Sequence, residues 1–377
     1  MAGIYLHIPF CKSKCPYCNF FSVASIKAVE EFLPALKKEI SLQQYYLGNQ
    51  KIETLYFGGG TPSLIKPSAI NRILEQIQNS FAVEKTAEIT LEANPDDITV
   101  ASLEAWHNAG INRLSIGVQS FNDADLKYLG RIHSGAQAEK SVQLALEHGF
   151  NHLSVDFIYG MPTLSDSAFA DNLEKAVSLQ IPHISAYALT TEPKTAMDAM
   201  IRKQQMQGPD EETAASQFRY LMQYLGSRGY EHYEISNFCL PGKYSRHNSS
   251  YWKGDHYLGL GPSAHSFNGI SRQWNVNGIS RYTSLVNAGE SHFETEVLSP
   301  SQRYNEYVMV SLRTIWGTSL DHIKQEFGEG PASYFKDLAS HFLISKDMIE
   351  HDGIFTLSEN GKLFADKISS DLFLDND

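Results

Sequence analysis

"IYLHIPFCKSKCPYC", residues 4–18, joins two kinds of sequence. From Ile4 to Phe10 the chain is near-continuously apolar and rich in β-branched and aromatic residues, as in a strand buried on both faces. It then runs into Cys11, Cys15 and Cys18, spaced C-x3-C-x2-C; the next position where a fourth cysteine would fall is Phe20. The chain has only 4 cysteines in 377 residues, and the remaining one, Cys239, is far away. That is too few for a secreted disulfide framework, and it points to the reducing cytoplasm, where clustered thiols more often hold metal.

The strand pattern repeats. "ETLYFGGG" (53–60), "EITLEANP" (88–95), "RLSIGVQS" (113–120), "HLSVDFIYG" (152–160) and "HISAYALT" (183–190) are further apolar runs. Amphipathic stretches such as "VEEFLPALKKEISLQQYYL" (29–47) and "PSAINRILEQIQNSF" (67–81) separate them. Six β/α units in succession predict an α/β fold, a partial (β/α)6 barrel over residues 1–208, with an open doubly wound sheet as the alternative. The chemically useful residues fall where the runs end: Cys11 to Cys18, Gly58 to Thr61, Glu92, Gln119, Asp156 and Tyr187. In a β/α barrel those ends line one mouth.

Residues 209–299 read as a mixed α+β segment expected to cover that mouth, and 300–377 as three helices and a hairpin, a winged-helix-like domain. Such domains often bind DNA, but residues 301–377 carry 7 Lys+Arg against 13 Asp+Glu, and the whole chain has a formal net charge of −12. Nucleic-acid binding is therefore not expected. No apolar run reaches membrane-spanning length, and the N-terminus lacks the form of a signal peptide.

Thiolates suit zinc, copper(I) and iron–sulfur clusters. Structural zinc usually takes four ligands, commonly two C-x2-C pairs, and here there is one triplet. A 4Fe-4S cluster held by three thiolates would leave one iron open to a small molecule. "CKSKCPYC" after the first strand resembles the signature of the radical SAM superfamily, and "YFGGGTPS" after the second resembles its glycine motif. The resemblance implies that Cys11, Cys15 and Cys18 bind the cluster, that S-adenosylmethionine chelates the open iron, and that an electron donor triggers its cleavage to a 5′-deoxyadenosyl radical. Gly59, Gly60 and Thr61 would contact S-adenosylmethionine, and Glu92, at a strand end, suits its ribose hydroxyls.

Together with Gln119, Arg131 and Asp156, the chain is similar to the oxygen-independent coproporphyrinogen III oxidase-like branch. There Tyr5, Tyr17 and these positions would complete the cofactor site, with a second S-adenosylmethionine in some members. Farther on, "RHNSSYWKGDHYLGLGPSAHSF" (246–267) contains His247, Asn248, Tyr251 and Trp252, resembling a motif of the branch's haem chaperones. Aromatic rings stack on porphyrins and imidazole ligates haem iron, so His247, Asn248, Tyr251, Trp252 and His265 mark a possible haem region. Two departures from the oxidase favour the chaperone. The oxidase has a fourth cysteine where this chain has Phe20, and an N-terminal extension for which the first strand leaves no room. The expectation is a haem chaperone binding a 4Fe-4S cluster, S-adenosylmethionine and haem, and passing haem to an acceptor protein. The alternative is the oxidase itself; a third reading is a zinc-stabilised domain that recruits a partner.

Overall fold

The computed structural model describes residues 2–375. Six strands, β1 (Ala2–Ile8), β2 (Ile52–Gly59), β3 (Val83–Ala93), β4 (Arg113–Gln119), β5 (Leu153–Tyr159) and β6 (His183–Ala188), lie side by side in chain order, each parallel to the next. A doubly wound sheet reverses its order at a switch point; this one does not. The α/β barrel expected from the sequence is the one observed, and β1 is buried along nearly its whole length.

The connecting helices are α1 (Val29–Leu42), α2 (Pro67–Ser80), α3 (Val100–Asn108), α4 (Asp123–Tyr128), α5 (Gly135–Glu147) and α6 (Asp166–Ser178). Their starts are chemically marked. Pro67 opens α2, where the missing N–H costs nothing. Thr99 and Ser134 form reciprocal capping boxes with Ser102 and Gln137.

The next segment widens the sheet at both edges instead of covering the mouth. After α7 (Ala196–Arg202) and α8 (Glu211–Ser227), β7 (Glu231–Glu234) and β8 (Asn237–Cys239) extend it antiparallel beyond β6. The short helix α9 (Arg246–Trp252) leads to β9 (His256–Leu260), which pairs parallel with β1. Then come β10 (His265–Phe267), β11 (Ser271–Asn275), α10 (Ile279–Ala288) and β12 (Phe293–Val297). The sheet thus has twelve strands, with β12 and β7 at its edges.

Helix α9 closes the end opposite the cysteines. The Arg246 guanidinium donates to the Thr86 carbonyl at 2.9 Å and pairs with Glu53 at 2.9 Å, and the Arg246 and His247 amides donate to the Glu88 carboxylate at 3.1 and 2.9 Å. These partners sit in the starting halves of β2 and β3. The free amides of a helix start are where a buried carboxylate is stabilised, so the helix serves as a plug.

A second buried carboxylate ties the extension to the barrel. Glu39 of α1, 0% exposed, accepts from Tyr282 Oη (2.5 Å), Asn275 Nδ2 (2.6 Å), the Gly261 amide (2.7 Å) and His292 Nε2 (3.0 Å). The C-terminal region comprises α11 (Pro300–Leu312), β13 (Thr318–Ser319), α12 (Leu320–Phe327), α13 (Glu329–Ile344), β14 (Met348–His351), β15 (Ile354–Leu357) and α14 (Ala365–Asp371). It has a core of its own, built on Tyr304, Val308, Phe335, Met348 and Phe355.

Candidate functional site

The ends of β1 and β2 build the site together. Past Ile8 the chain leaves the sheet and returns at Val23, where two backbone bonds close the cysteine loop: Cys11 N–H to the Val23 carbonyl (3.0 Å) and Val23 N–H to the Pro9 carbonyl (2.8 Å). His7, 4% exposed, pins the loop from below through Nε2 and the Phe21 carbonyl, 2.8 Å apart.

The glycines permit this packing. A Cβ on Gly59, whose φ is +109°, would lie 2.7 Å from the His7 ring; one on Gly60 would lie 2.6 Å from the Phe10 carbonyl and 3.0 Å from Cys11 Sγ. Real Cβ atoms do not come that close, so both positions exclude a side chain. The sequence reading assigned the glycines to ligand approach; here their first task is to let the cysteine loop lie on β2.

The three cysteines line a cavity of about 450 Å³ with Tyr17, Gly59, Gly60, Thr61, Glu92, Gln119, Arg131 and Asp156. Of the cofactor candidates Tyr5 alone is outside it. Its ring joins a cluster with Tyr56 (6.0 Å) and His247 (6.5 Å), which themselves stack at 5.0 Å, and its hydroxyl lies 3.3 Å from His7 Nδ1. Asn94, Ser115 and Gly117 line the cavity too and were missed. The two-residue period would have found them: 92 and 94, then 115, 117 and 119, share one face.

Three carboxylates line the cavity, Glu92, Asp156 and Glu192. Glu92 accepts from Tyr56 Oη at 2.8 Å and the Gly59 amide at 3.2 Å, yet burial pushes its pKa up to about 7. Burial likewise raises Asp156 to about 6, against hydrogen bonds from Ser185 and Ser115. Arg131 spans the wall: Nη2 donates to Asn94 Oδ1 (2.6 Å) and the Gly117 carbonyl (2.8 Å), and Nη1 lies 3.6 Å from Cys15 Sγ. Gln119 holds a left-handed φ of +66°, a cost tolerated mostly where side-chain direction matters.

The donor set fits an iron–sulfur cluster. Burial raises the Cys18 thiol, and the neighbouring Cys15 and Cys11 raise it further, so a Cys18 thiolate is favoured by a cation beside it. Three thiols on one loop match the pattern of one thiolate ligand to each of three irons.

The possible haem region does not stay together. His247 is 1% exposed; its Nδ1 lies 2.8 Å from Thr54 Oγ1 and its Nε2 2.9 Å from Tyr251 Oη. Burial lowers its pKa to about 3. With both ring nitrogens taken, His247 is part of the α9 plug and not a free ligand for haem iron. Asn248 sits in the same helix, where its amide caps onto Ser245 Oγ. Trp252 faces Arg313, 5.6 Å from ring to guanidinium, while His265 is exposed on β10 beside Trp274.

Residues 5–176 match the Radical SAM superfamily, and 298–364 match the HemN C-terminal domain. The chain is 31% identical to "Heme chaperone HemW" of Bacillus subtilis over 98% of each chain. The chain belongs to the radical SAM superfamily, in its HemW-like family. It is 36% identical to "Heme chaperone HemW" of Escherichia coli over 70% of this chain and 69% of that one. The solved structure of coproporphyrinogen III oxidase (HemN) from Escherichia coli has the same fold, with a TM-score of 0.85 at 22% identity, covering 99% of this chain and 90% of that one. No helix among the described residues is long and apolar enough to cross a membrane.

Proposed function

We propose that this protein is a haem chaperone of the radical SAM type, acting in the cytoplasm, which binds haem and delivers it to an acceptor protein. The observation that carries the reading is similarity at 31% identity over 98% of the chain to a protein named as a haem chaperone. The cavity supports the cofactor part. Cys11, Cys15 and Cys18 would each hold one iron of a 4Fe-4S cluster, leaving the fourth to the amino and carboxylate groups of S-adenosylmethionine. Bound there, the cluster supplies one-electron reducing chemistry, fed by an electron donor. Gly59, Gly60 and Thr61 offer backbone and hydroxyl contacts close to the thiols. Glu92 and Asp156 would offset the positive charge of the sulfonium, while Tyr17, Gln119 and Arg131 would shape the remaining wall.

Coproporphyrinogen oxidation in porphyrin biosynthesis is the second reading, favoured by the shared fold with HemN. Phe20 weighs against it. It stands where the sequence resemblance places the oxidase's extra cysteine, and it is 65% exposed at the rim of the cavity.

One anaerobically reconstituted sample tests both. The expected result is a saturable haem-dependent shift of the Soret band and no turnover of coproporphyrinogen with reductant and S-adenosylmethionine. Turnover would replace the chaperone by the oxidase.

A further inference from the structure

The geometry points to a haem site away from the cysteine cavity, in a cleft of about 330 Å³ between the widened sheet and the C-terminal helices. This rests on the chaperone reading and says where its cargo sits. Tyr251, Trp252, Tyr257 and Phe267 line one side, and Tyr307 and Phe327 the other. Aromatic rings on both sides can stack on or edge against the faces of a porphyrin.

His322, on α12, also lines the cleft. Its ring packs on Tyr307 with centroids 4.3 Å apart, and among the described residues its ring nitrogens make no hydrogen bond or ion pair. It thus has what His247 lacks, a free imidazole nitrogen facing an aromatic cavity, which is what ligation of haem iron requires. Arg303 supplies the polar end. Arg272, across the cleft, is held by Glu306 at 2.6 Å, whereas the Arg303 guanidinium has no acceptor among the described residues and is free for a propionate. The buried Trp252 Nε1 is a further donor without a partner. With Arg303 counted, the lining carries three basic residues (Lys253, Arg272, Arg303) against three acidic ones (Asp255, Glu306, Glu326), so the cleft suits a large apolar ring with a few carboxylates and not a polyanion.

No residue lines both this cleft and the cysteine cavity, so haem binds here without the cluster. The test is haemin titration of the full chain, followed by the Soret band. The wild type and a Cys11→Ala/Cys15→Ala/Cys18→Ala variant bind one equivalent with the same spectrum. His322→Ala moves the band and weakens binding roughly tenfold or more. Arg303→Ala weakens it several-fold without moving the band. Val310→Trp, which fills the cleft, blocks binding, and His341→Ala, exposed on α13 outside the cleft, changes nothing. If His322→Ala and Val310→Trp both titrate like the wild type, the cleft is not the site, and the chaperone reading stands. If the wild type binds no haem, that reading falls and the site with it.

Discussion

Tyr5 stands between two buried histidines that serve opposite ends of the barrel, with ring centroids 6.1 Å from His7 and 6.5 Å from His247. His7 holds a loop that ends in an open cavity; His247 holds a helix that closes the other end. At the closed end the polar groups are matched: Glu88 has two amides, and each nitrogen of His247 has a hydroxyl. At the open end, three thiols line the cavity with Glu92 and Asp156, whose pKa values burial raises. The contrast separates polar residues that stabilise from those that wait for a ligand. The hydrogen bonds that Glu92 and Asp156 do receive fall short of their desolvation, as their raised pKa values show, so these two carboxylates cost stability until something binds.

The comparison breaks most sharply at the cysteines. Cys11→Ala, Cys15→Ala and Cys18→Ala should each abolish the cluster in iron and sulfide analysis, while Cys239→Ala, buried in β8, keeps it. A cluster retained in any triplet variant would refute the assignment. Next in size is the closed end. His247→Ala leaves the Thr54 and Tyr251 hydroxyls without a partner and should cost roughly 3 kcal/mol of stability in denaturant unfolding, with cluster content unchanged. Loss of the cluster in a still-folded His247→Ala protein would show that the two ends are not separate.

Gly59→Ala crosses from one kind of effect to the other. The new Cβ meets the His7 ring at a left-handed φ, so about 1–3 kcal/mol of stability and cluster content should fall together. A stable, fully loaded Gly59→Ala protein would contradict the packing argument.

Smallest is the carboxylate effect. Glu92 and Asp156 hold protons more tightly in the folded chain than in the unfolded one, where their pKa values are near 4. Folded protein therefore binds more protons, and its ligand-free stability falls as pH rises from about 4 to about 7. Glu92→Gln should raise ligand-free stability at pH 8 by roughly 1–2 kcal/mol and weaken S-adenosylmethionine binding. In the wild type, that binding should tighten as pH rises from about 6 to above 7, because a cationic ligand favours the ionised carboxylates. Calorimetric titration at several pH values checks the slope; a flat profile would remove the carboxylates from the binding argument.

Much of this was legible in the chain. Six buried apolar runs spaced by amphipathic helices already specify parallel β/α units, because period and burial are local properties of sequence, while the strand order that makes them a barrel and not a doubly wound sheet came from the structure. The same holds for the cysteine triplet, whose spacing is covalent. Ser115, Gly117 and Asn94 were legible too, had the alternation along β3 and β4 been followed.

What only the tertiary structure decided is how distant residues meet. "RHNSSYW" has the same composition whether it covers a mouth or plugs the opposite end. The choice is made by Glu53, Thr86 and Glu88, more than 150 positions earlier, which need the donors that α9 presents. Likewise nothing in His247 or His322 taken singly marks one as satisfied and the other as free. That difference arises from Thr54 and Tyr251 closing around the first ring, while the second is left at the seam between two separately packed cores. Hydrogen-bond satisfaction is a property of the assembled neighbourhood, which is why motif resemblance located the polar residues and packing alone sorted them into plug, cofactor cavity and cleft.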